Sequence, residues 1–400
     1  MADIGEFAQR VAQQFRESQQ LYQGAQAGTL ARFNLGLQGP AVECLARAVF
    51  YASMIPDEGR YPVASLMSYR VDAERELHLP LCPQLPPTHE NIAKLSHAVG
   101  PESHLCIVCD EGTPMLAGLH VTVLDEMRQF GYSSFRVGNP LKFRIRGPGH
   151  IEASTGGIAL VYKTGDITEE RLLHESDVMG ALRSVVAQEL AEQTTGVVES
   201  LEDVFNDIAK AIVRQGHGGM LLVTKEWDQT QFSSRRLTGG HILRQRLVRY
   251  YEIVAALNAV TGGPANTLAG LNAQEASPHH LMIASETGVL EKCVNLIANL
   301  AGLDGSIVMD YACNVIAFNA IISRDAEGVQ PAQLVDEIDR PLDPAEVGRN
   351  RGSRHQSAMS FTRRVPHSFA FVISQDGGVT AFHNRGNGTC RWEGGLRVLD

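Results

Sequence analysis

Three short segments in the last hundred residues carry side chains suited to phosphate chemistry. In Leu303-Asp304-Gly305-Ser306-Ile307-Val308-Met309 a helix pattern ends, a carboxylate and a glycine follow, and a strand pattern begins. The glycine lets another group approach the backbone closely, and Asp304 at a strand end stands in a usual place for chemistry. An ordinary Asp-Gly turn has the same sequence. In Gly352-Ser353-Arg354-His355-Gln356-Ser357-Ala358-Met359, Ser353 reads as a helix N-cap. The first-turn N–H groups of that helix suit a phosphate, and Arg354 adds a forked cation matched to phosphate oxygens. His355 is able either to ligate a divalent metal or to contact phosphate. Six arginines (340, 349, 351, 354, 363 and 364) stand against Asp343 and Glu346 between residues 340 and 364, which fits a polyanion pocket or a solvated basic surface. In Phe371-Val372-Ile373-Ser374-Gln375-Asp376-Gly377-Gly378-Val379 a β-hairpin pattern carries an acid at its tip. Asp376 is placed to hold a metal opposite the phosphate site, or to be a plain turn residue.

Other motifs persuade less. Cys106 and Cys109 have redox or half-zinc spacing, but they sit in an apolar strand pattern, where residues three apart face opposite sides. Buried structural thiols are the expectation there. Pro278-His279-His280 reads as loop rather than half a metal site. There is no Walker loop, no G-x-S-x-G elbow and no H-E-x-x-H.

The composition frames these segments. The 400 residues, at roughly 150 per domain, suggest two or three domains. Apolar types at 44% and charged types at 20% describe an ordinary globular mixture. Thirty-five basic against 45 acidic residues give a net charge of -10, the wrong sign for a coat on long nucleic acid. No run approaches the roughly 18 to 20 apolar residues of a membrane helix, and the N-terminus has no basic start followed by an apolar stretch. Seven scattered cysteines do not form a disulfide framework, so the expectation is a cytoplasmic protein with reduced thiols.

The elements that must position the three segments are readable in outline. Residues 1–55 read as helical, with Phe7, Val11, Phe15 and Tyr22 near a 3.6 period. Residues 56–198 read as a β-rich module with a helical tail. Its strands are expected at 105–109, 119–124, 135–137, 141–145 and 157–162, and its helix face includes Leu182, Val185, Val186 and Leu190. Residues 199–400 read as α/β: helix around 201–212, strand 220–224, helix 242–260, helix 289–300, strands 306–309 and 314–322, a short helix near 356–363, and strands 369–374 and 379–383. The expected fold class is therefore α/β. A C-terminal mixed β-sheet flanked by helices follows a helical segment and a small β-rich N-terminal module.

The order and spacing of the three segments resemble the diadenylate cyclase (DAC) domain family. That family carries a D-G-A motif, then G-T-R-H-R, then an S-E-E-T-G hairpin. This chain has Asp304-Gly305-Ser306, Gly352-Ser353-Arg354-His355-Gln356 and Ser374-Gln375-Asp376-Gly377-Gly378, and Gly218-Gly219-Met220-Leu221-Leu222-Val223 is similar to the family's opening strand. The resemblance covers about residues 205–390 and looks closest to the divergent DACNV-type probable sensor domains, linked with prokaryotic conflict systems. It implies a metal-dependent nucleotidyltransferase that joins (d)NTPs by 3′–5′ linkage into a dinucleotide signal and releases pyrophosphate, in nucleotide signalling or antiphage defence. The other reading is an inactive nucleotide or dinucleotide sensor that regulates a partner effector. By the resemblance, Asp304, His355 and Asp376 are the catalytic and metal-holding residues for Mg2+ or Mn2+. Gly305, Ser306, Gly352, Ser353, Arg354, Gln356, Ser374 and Gln375 bind the nucleotide. In an active chain two domains would face each other across two bound nucleotides in a homo-oligomer, with the N-terminal helix either as the contact or as a packing helix. The departures are Gln356 for the second arginine, Gln375 and Asp376 for the two glutamates, Gly377 for threonine and Ser306 for alanine. Losing one cationic hydrogen bond weakens triphosphate binding by about 1.5 to 3 kcal/mol.

Overall fold

The computed structural model describes residues 3–22, 37–57, 59–68, 78–100, 103–110, 113–121, 141–155, 157–191, 202–225, 232–236, 240–261, 277–303, 305–322, 330–349 and 351–398. The chain is α/β. It divides into two compact units, Met1–Leu124 with Ser134–Arg171, and Asp125–Ser133 with Leu172–Asp400. The sequence reading divides it instead after residues 55 and 198.

The first unit begins with α1 (Ile4–Tyr22) and α2 (Gly39–Ser53). Phe7, Val11 and Phe15 recur every fourth residue on α1 and are buried with Val42, Leu45 and Val49 of α2 in one core. Gln14 Nε2 donates to the carbonyls of Thr155 and Ile158, both at 3.0 Å, and ties α1 to the strands. The apolar face of α1 is thus used inside its own unit. The strands are β1 (Ala64–Ser68), β2 (His78–Leu85), β3 (Ser103–Asp110), β4 (Thr113–Val121), β5 (Lys142–Gly147), β6 (His150–Thr155), β7 (Ile158–Lys163) and β8 (Asp166–Leu172), with α3 (His89–Ser96) between β2 and β3. They run in the order β8-β7-β6-β5-β1-β3-β4-β2. Leu66, Leu105, Phe143, Ile145 and Ile151 face the helices. Because side chains alternate along a strand, Ser65, His104, Arg144 and Glu152 lie on the other face.

The second unit holds α4 (Asp177–Ala191), α5 (Glu202–Arg214), β9 (Gly219–Val223), β10 (Phe232–Arg236), α6 (Ile242–Thr261), α7 (Ser277–Ala301), β11 (Ser306–Met309), β12 (Val315–Ile322), β13 (Gln333–Val335), α8 (Pro344–Gly348), α9 (Ser353–Arg364), β14 (Phe369–Ile373), β15 (Gly378–Asn384) and β16 (Thr389–Arg397). The sheet order is β10-β12-β11-β9-β14-β15-β16, with β13 beside β16. It is mixed, since β9 and β11 are parallel while β9 and β14 are antiparallel. Both faces are covered, as the unbroken apolar run of β9 requires. Leu221, Val223, Ile307, Phe369 and Phe371 pack with Val178 and Leu182 of α4, Ile208 and Ile212 of α5, and Ile297 of α7. Met220, Leu222, Val308, Ala370 and Val372 pack with Ala358 and Phe361 of α9. The burial of α4 in this core explains why residues 177–191 belong to the second unit and not to a tail of the first. α7 starts at Ser277, so Pro278-His279-His280 forms a helical first turn and not a loop; proline is well tolerated there.

Candidate functional site

Strand register brings the three segments to one end of the second sheet. Gly219 of β9 pairs with Ile373 of β14, which pairs with Val379 of β15. On the other side of β9, Ile307 of β11 pairs with Leu221. Gly305 therefore stands level with Gly219. The entry to β11, the entry to β9 and the β14–β15 hairpin share one edge of the fold. Asp304 itself lies outside the described residues.

The helix that carries the second segment is set by a short apolar stripe. Ala358, Phe361 and Thr362 are its buried residues, spaced three and four apart on one face. It ends before Pro366, whose ring disfavours helical geometry at Val365. Its N-cap is Gly352, with φ -66° and ψ 169°, and Ser353 is the first helical residue. The expectation of Ser353 as N-cap is thus corrected by one position, and no side chain caps the helix. The His355 N–H donates to the Gly352 carbonyl at 3.1 Å, so the Ser353 and Arg354 N–H groups are the ones that precede the helix's own bonds, and the helix dipole adds positive potential at this end.

Gly218 is where the second and third segments meet. A Cβ on Gly218 would lie 2.7 Å from the Ile373 carbonyl oxygen, 3.2 Å from Arg354 Nη1 and 3.5 Å from the Gln375 nitrogen. The guanidinium of Arg354, half-buried, therefore reaches over the start of β9 beside the Ser374-Gln375 turn. Glycine at position 218 is what allows that approach.

Beside Arg354, at the start of the same helix, a polar cluster forms around Thr380. Its buried hydroxyl accepts from Arg351 Nη1 at 3.0 Å and lies 3.2 Å from His355 Nε2. The Arg351 guanidinium also sits over the Trp392 ring, 5.6 Å from its centroid. Burial, and then the adjacent Arg351 charge, hold the His355 pKa below the ordinary histidine range, so the ring is neutral at pH 7. In the tautomer that accepts the Thr380 proton at Nε2, Nδ1 is an N–H donor. Such a ring suits a phosphate oxygen better than a metal ion.

The hairpin holds its acid in its own turn. Asp376 Oδ1 accepts from the Gly378 N–H at 3.3 Å, and the Asp376 carbonyl accepts from Arg397 Nη1 at 2.7 Å. The Ser374 N–H donates to the Gly378 carbonyl at 2.8 Å, and Gly377 takes φ +88°. Asp376 and Gln375 are exposed, and Ser374 is half-buried. In the first segment Gly305 takes φ +113°, and a Cβ there would lie 2.7 Å from the Asn319 carbonyl carbon. Ser306 is buried, and its hydroxyl donates to the Ala320 carbonyl at 3.0 Å. Gln356 is half-buried in the first turns of α9.

Among the described residues no group of three His, Cys, Asp or Glu side chains stands ready for a metal ion. His355 and Asp376 each have a hydrogen-bonding role within the protein, and a hard cation here would draw on the carboxylate oxygens of Asp304 or Asp376 together with phosphate oxygens. That donor set is of the kind Mg2+ takes.

His217, Arg351 and Thr380 escaped the sequence reading as site residues. The His217 ring packs against Gly302, where a Cβ would lie 2.7 Å from Nε2, and its buried Nδ1 has no hydrogen-bond partner among the described residues. The signal available was its place in Gly216-His217-Gly218-Gly219, directly before the strand. Thr380 had none, because a threonine inside an apolar strand is unremarkable until its register with α9 is known. No family model matches this chain, and no curated protein matches it.

Proposed function

We propose that the second unit binds a nucleoside triphosphate at the edge where β9, β11, α9 and the β14–β15 hairpin converge. We further propose that it transfers the nucleotidyl group to a 3′-hydroxyl, releasing pyrophosphate and building a dinucleotide. The single observation that carries this reading is the approach of Arg354 and the Gln375 backbone to Gly218. Two of the three segments chosen from sequence thereby flank one backbone position. The Arg354 guanidinium and the Ser353 and Arg354 N–H groups at the start of α9 would hold the phosphates. The His355 ring, neutral and oriented by Thr380, would add one N–H donor. Asp304 would take the proton of the attacking hydroxyl. A Mg2+ or Mn2+ ion held by Asp304 and the phosphate oxygens would neutralise charge at the transferred phosphorus. Positioning and charge neutralisation carry most of phosphoryl-transfer catalysis.

A second reading, a nucleotide sensor without turnover, is favoured by the Asp376 carboxylate being turned into its own hairpin and by Gln356 and Gln375 standing where the resemblance expects charge. One experiment separates the two. The full chain is incubated with each NTP and dNTP plus Mg2+ or Mn2+, and pyrophosphate is measured alongside the melting temperature. Pyrophosphate release that disappears in Asp304→Asn supports transfer. A melting shift without pyrophosphate supports the sensor, and neither response with any nucleotide removes both.

A further inference from the structure

The first unit carries a second polar constellation, unrelated to the site above. In β3 and β4, His104 and His120 are direct cross-strand partners. Ser65 of β1 precedes the Leu66–Leu105 pair by one residue, which sets it level with His104, and Ser65 pairs in turn with Arg144 of β5. Residues paired across strands point to the same face, so His120, His104, Ser65 and Arg144 form one stripe over four strands. All four are buried, with exposures of 5%, 7%, 7% and 9%. Lys142, two residues before Arg144, adds a second cation to that face. At the end of the row Glu152 pairs with Arg144 in register and is salt-bridged to Arg146 at 3.1 Å.

Two atoms of the stripe, Ser65 Oγ and His104 Nδ1, are buried and have no hydrogen-bond partner among the described residues. Buried polar groups are normally satisfied, and a pair of orphans side by side points to an occupant. The local field says which kind. Burial, and then Lys142 and Arg144, push the His104 pKa down to about 2. A positive potential at that ring attracts an anion and repels a metal ion. His78, His120 and His104 are neighbours in register on three strands, yet that field disfavours a histidine metal site.

We infer that this stripe binds a phosphate group of a small molecule, with Arg144 and Lys142 as charges and Ser65 and His104 as hydrogen-bonding partners. Two cations beside two neutral polar groups suit the double charge and several oxygens of phosphate.

The test is calorimetric titration of the full chain with inorganic phosphate at constant ionic strength, in an Arg354→Ala background that weakens the other candidate phosphate site. Acetate serves as the carboxylate arm. Saturable phosphate binding is expected, stronger than acetate binding. It should weaken about tenfold or more in Ser65→Ala and in Lys142→Ala, as expected for loss of one hydrogen bond to a charged group. Ser65→Ala removes an orphan hydroxyl, so this variant is expected to melt no lower than its parent, which keeps the binding result interpretable. No binding, equal binding by both variants, a preference for acetate, or saturable Zn2+ binding that His104→Ala abolishes would each overturn the inference.

Discussion

Gly218→Ala tests the close approach on which the second unit's site depends. The added methyl group would lie 2.7 Å from the Ile373 carbonyl oxygen, a backbone atom held in the β9–β14 ladder, and 3.2 Å from Arg354 Nη1. The guanidinium can swing away, but the carbonyl moves only with its strand. Overpacking of this kind costs about 1–3 kcal/mol. At about 2–4 °C per kcal/mol for a unit of this size, the melting temperature should fall by about 2–12 °C. Gly180→Ala supplies the control. Gly180 is exposed on α4, and a Cβ there meets nothing within 4 Å. That substitution should stabilise the helix by about 0.5–1 kcal/mol. Urea denaturation of the two variants beside the parent reads both signs in one experiment. If Gly218→Ala were as stable as the parent while Gly180→Ala behaved as expected, the β9–β14–α9 juncture would be looser than described. The reach of Arg354 over Gly218 would then lose its basis.

Three further outcomes follow from single contacts. Thr380→Val keeps the volume but removes the hydroxyl shared by Arg351 and His355, so urea denaturation should register a loss of about 1–3 kcal/mol; parental stability would deny that the cluster is formed. Ser306→Ala should cost about 0.5–1.5 kcal/mol through the lost bond to the Ala320 carbonyl, with nucleotide affinity unchanged; a drop in affinity would mean that the hydroxyl faces the ligand. On acidification, unfolded His104 takes up a proton near pH 6.5 while the folded ring resists to about pH 2. The unfolding free energy of the first unit should therefore fall below pH 6.5 by about 1.4 kcal/mol per pH unit for this residue, and His104→Gln should flatten that slope. An unchanged slope would place the ring in a more polar setting than its burial implies.

The sequence reading succeeded where apolar runs are long and bounded by glycine or proline. Strands 219–223, 306–309, 315–322 and 369–373 and the helix at 242–261 fall close to where periodicity puts them. It failed where strands mix polar with apolar residues. β1, β6 and β16 mix Ser, Glu, Arg and Gly with apolar residues, and only their neighbours in the sheet make them strands. The compact units differ from the domains read in the sequence at α4, whose apolar face looks alike whether it packs on the first sheet or the second. At the candidate site, glycines and turn residues of the three segments gather at one sheet end, since backbone conformation is written locally. The partners of side chains are not: Ser306 bonding across to Ala320, and Asp376 turning back on Gly378, depend on register that no spacing rule supplies. The expected strand at 135–137 lies outside the described residues, as does most of the loop expected at 261–278.

Nucleotide titration of the full chain and of Arg354→Ala bears most directly on the convergence of Gly218, Arg354 and the 374–378 turn. A nucleoside triphosphate should bind the parent chain, and Arg354→Ala should bind it about ten- to a hundredfold more weakly with its melting temperature little changed. Equal affinity in the two proteins, or no affinity for any nucleotide in either, would contradict a phosphate cradle at this edge of the fold.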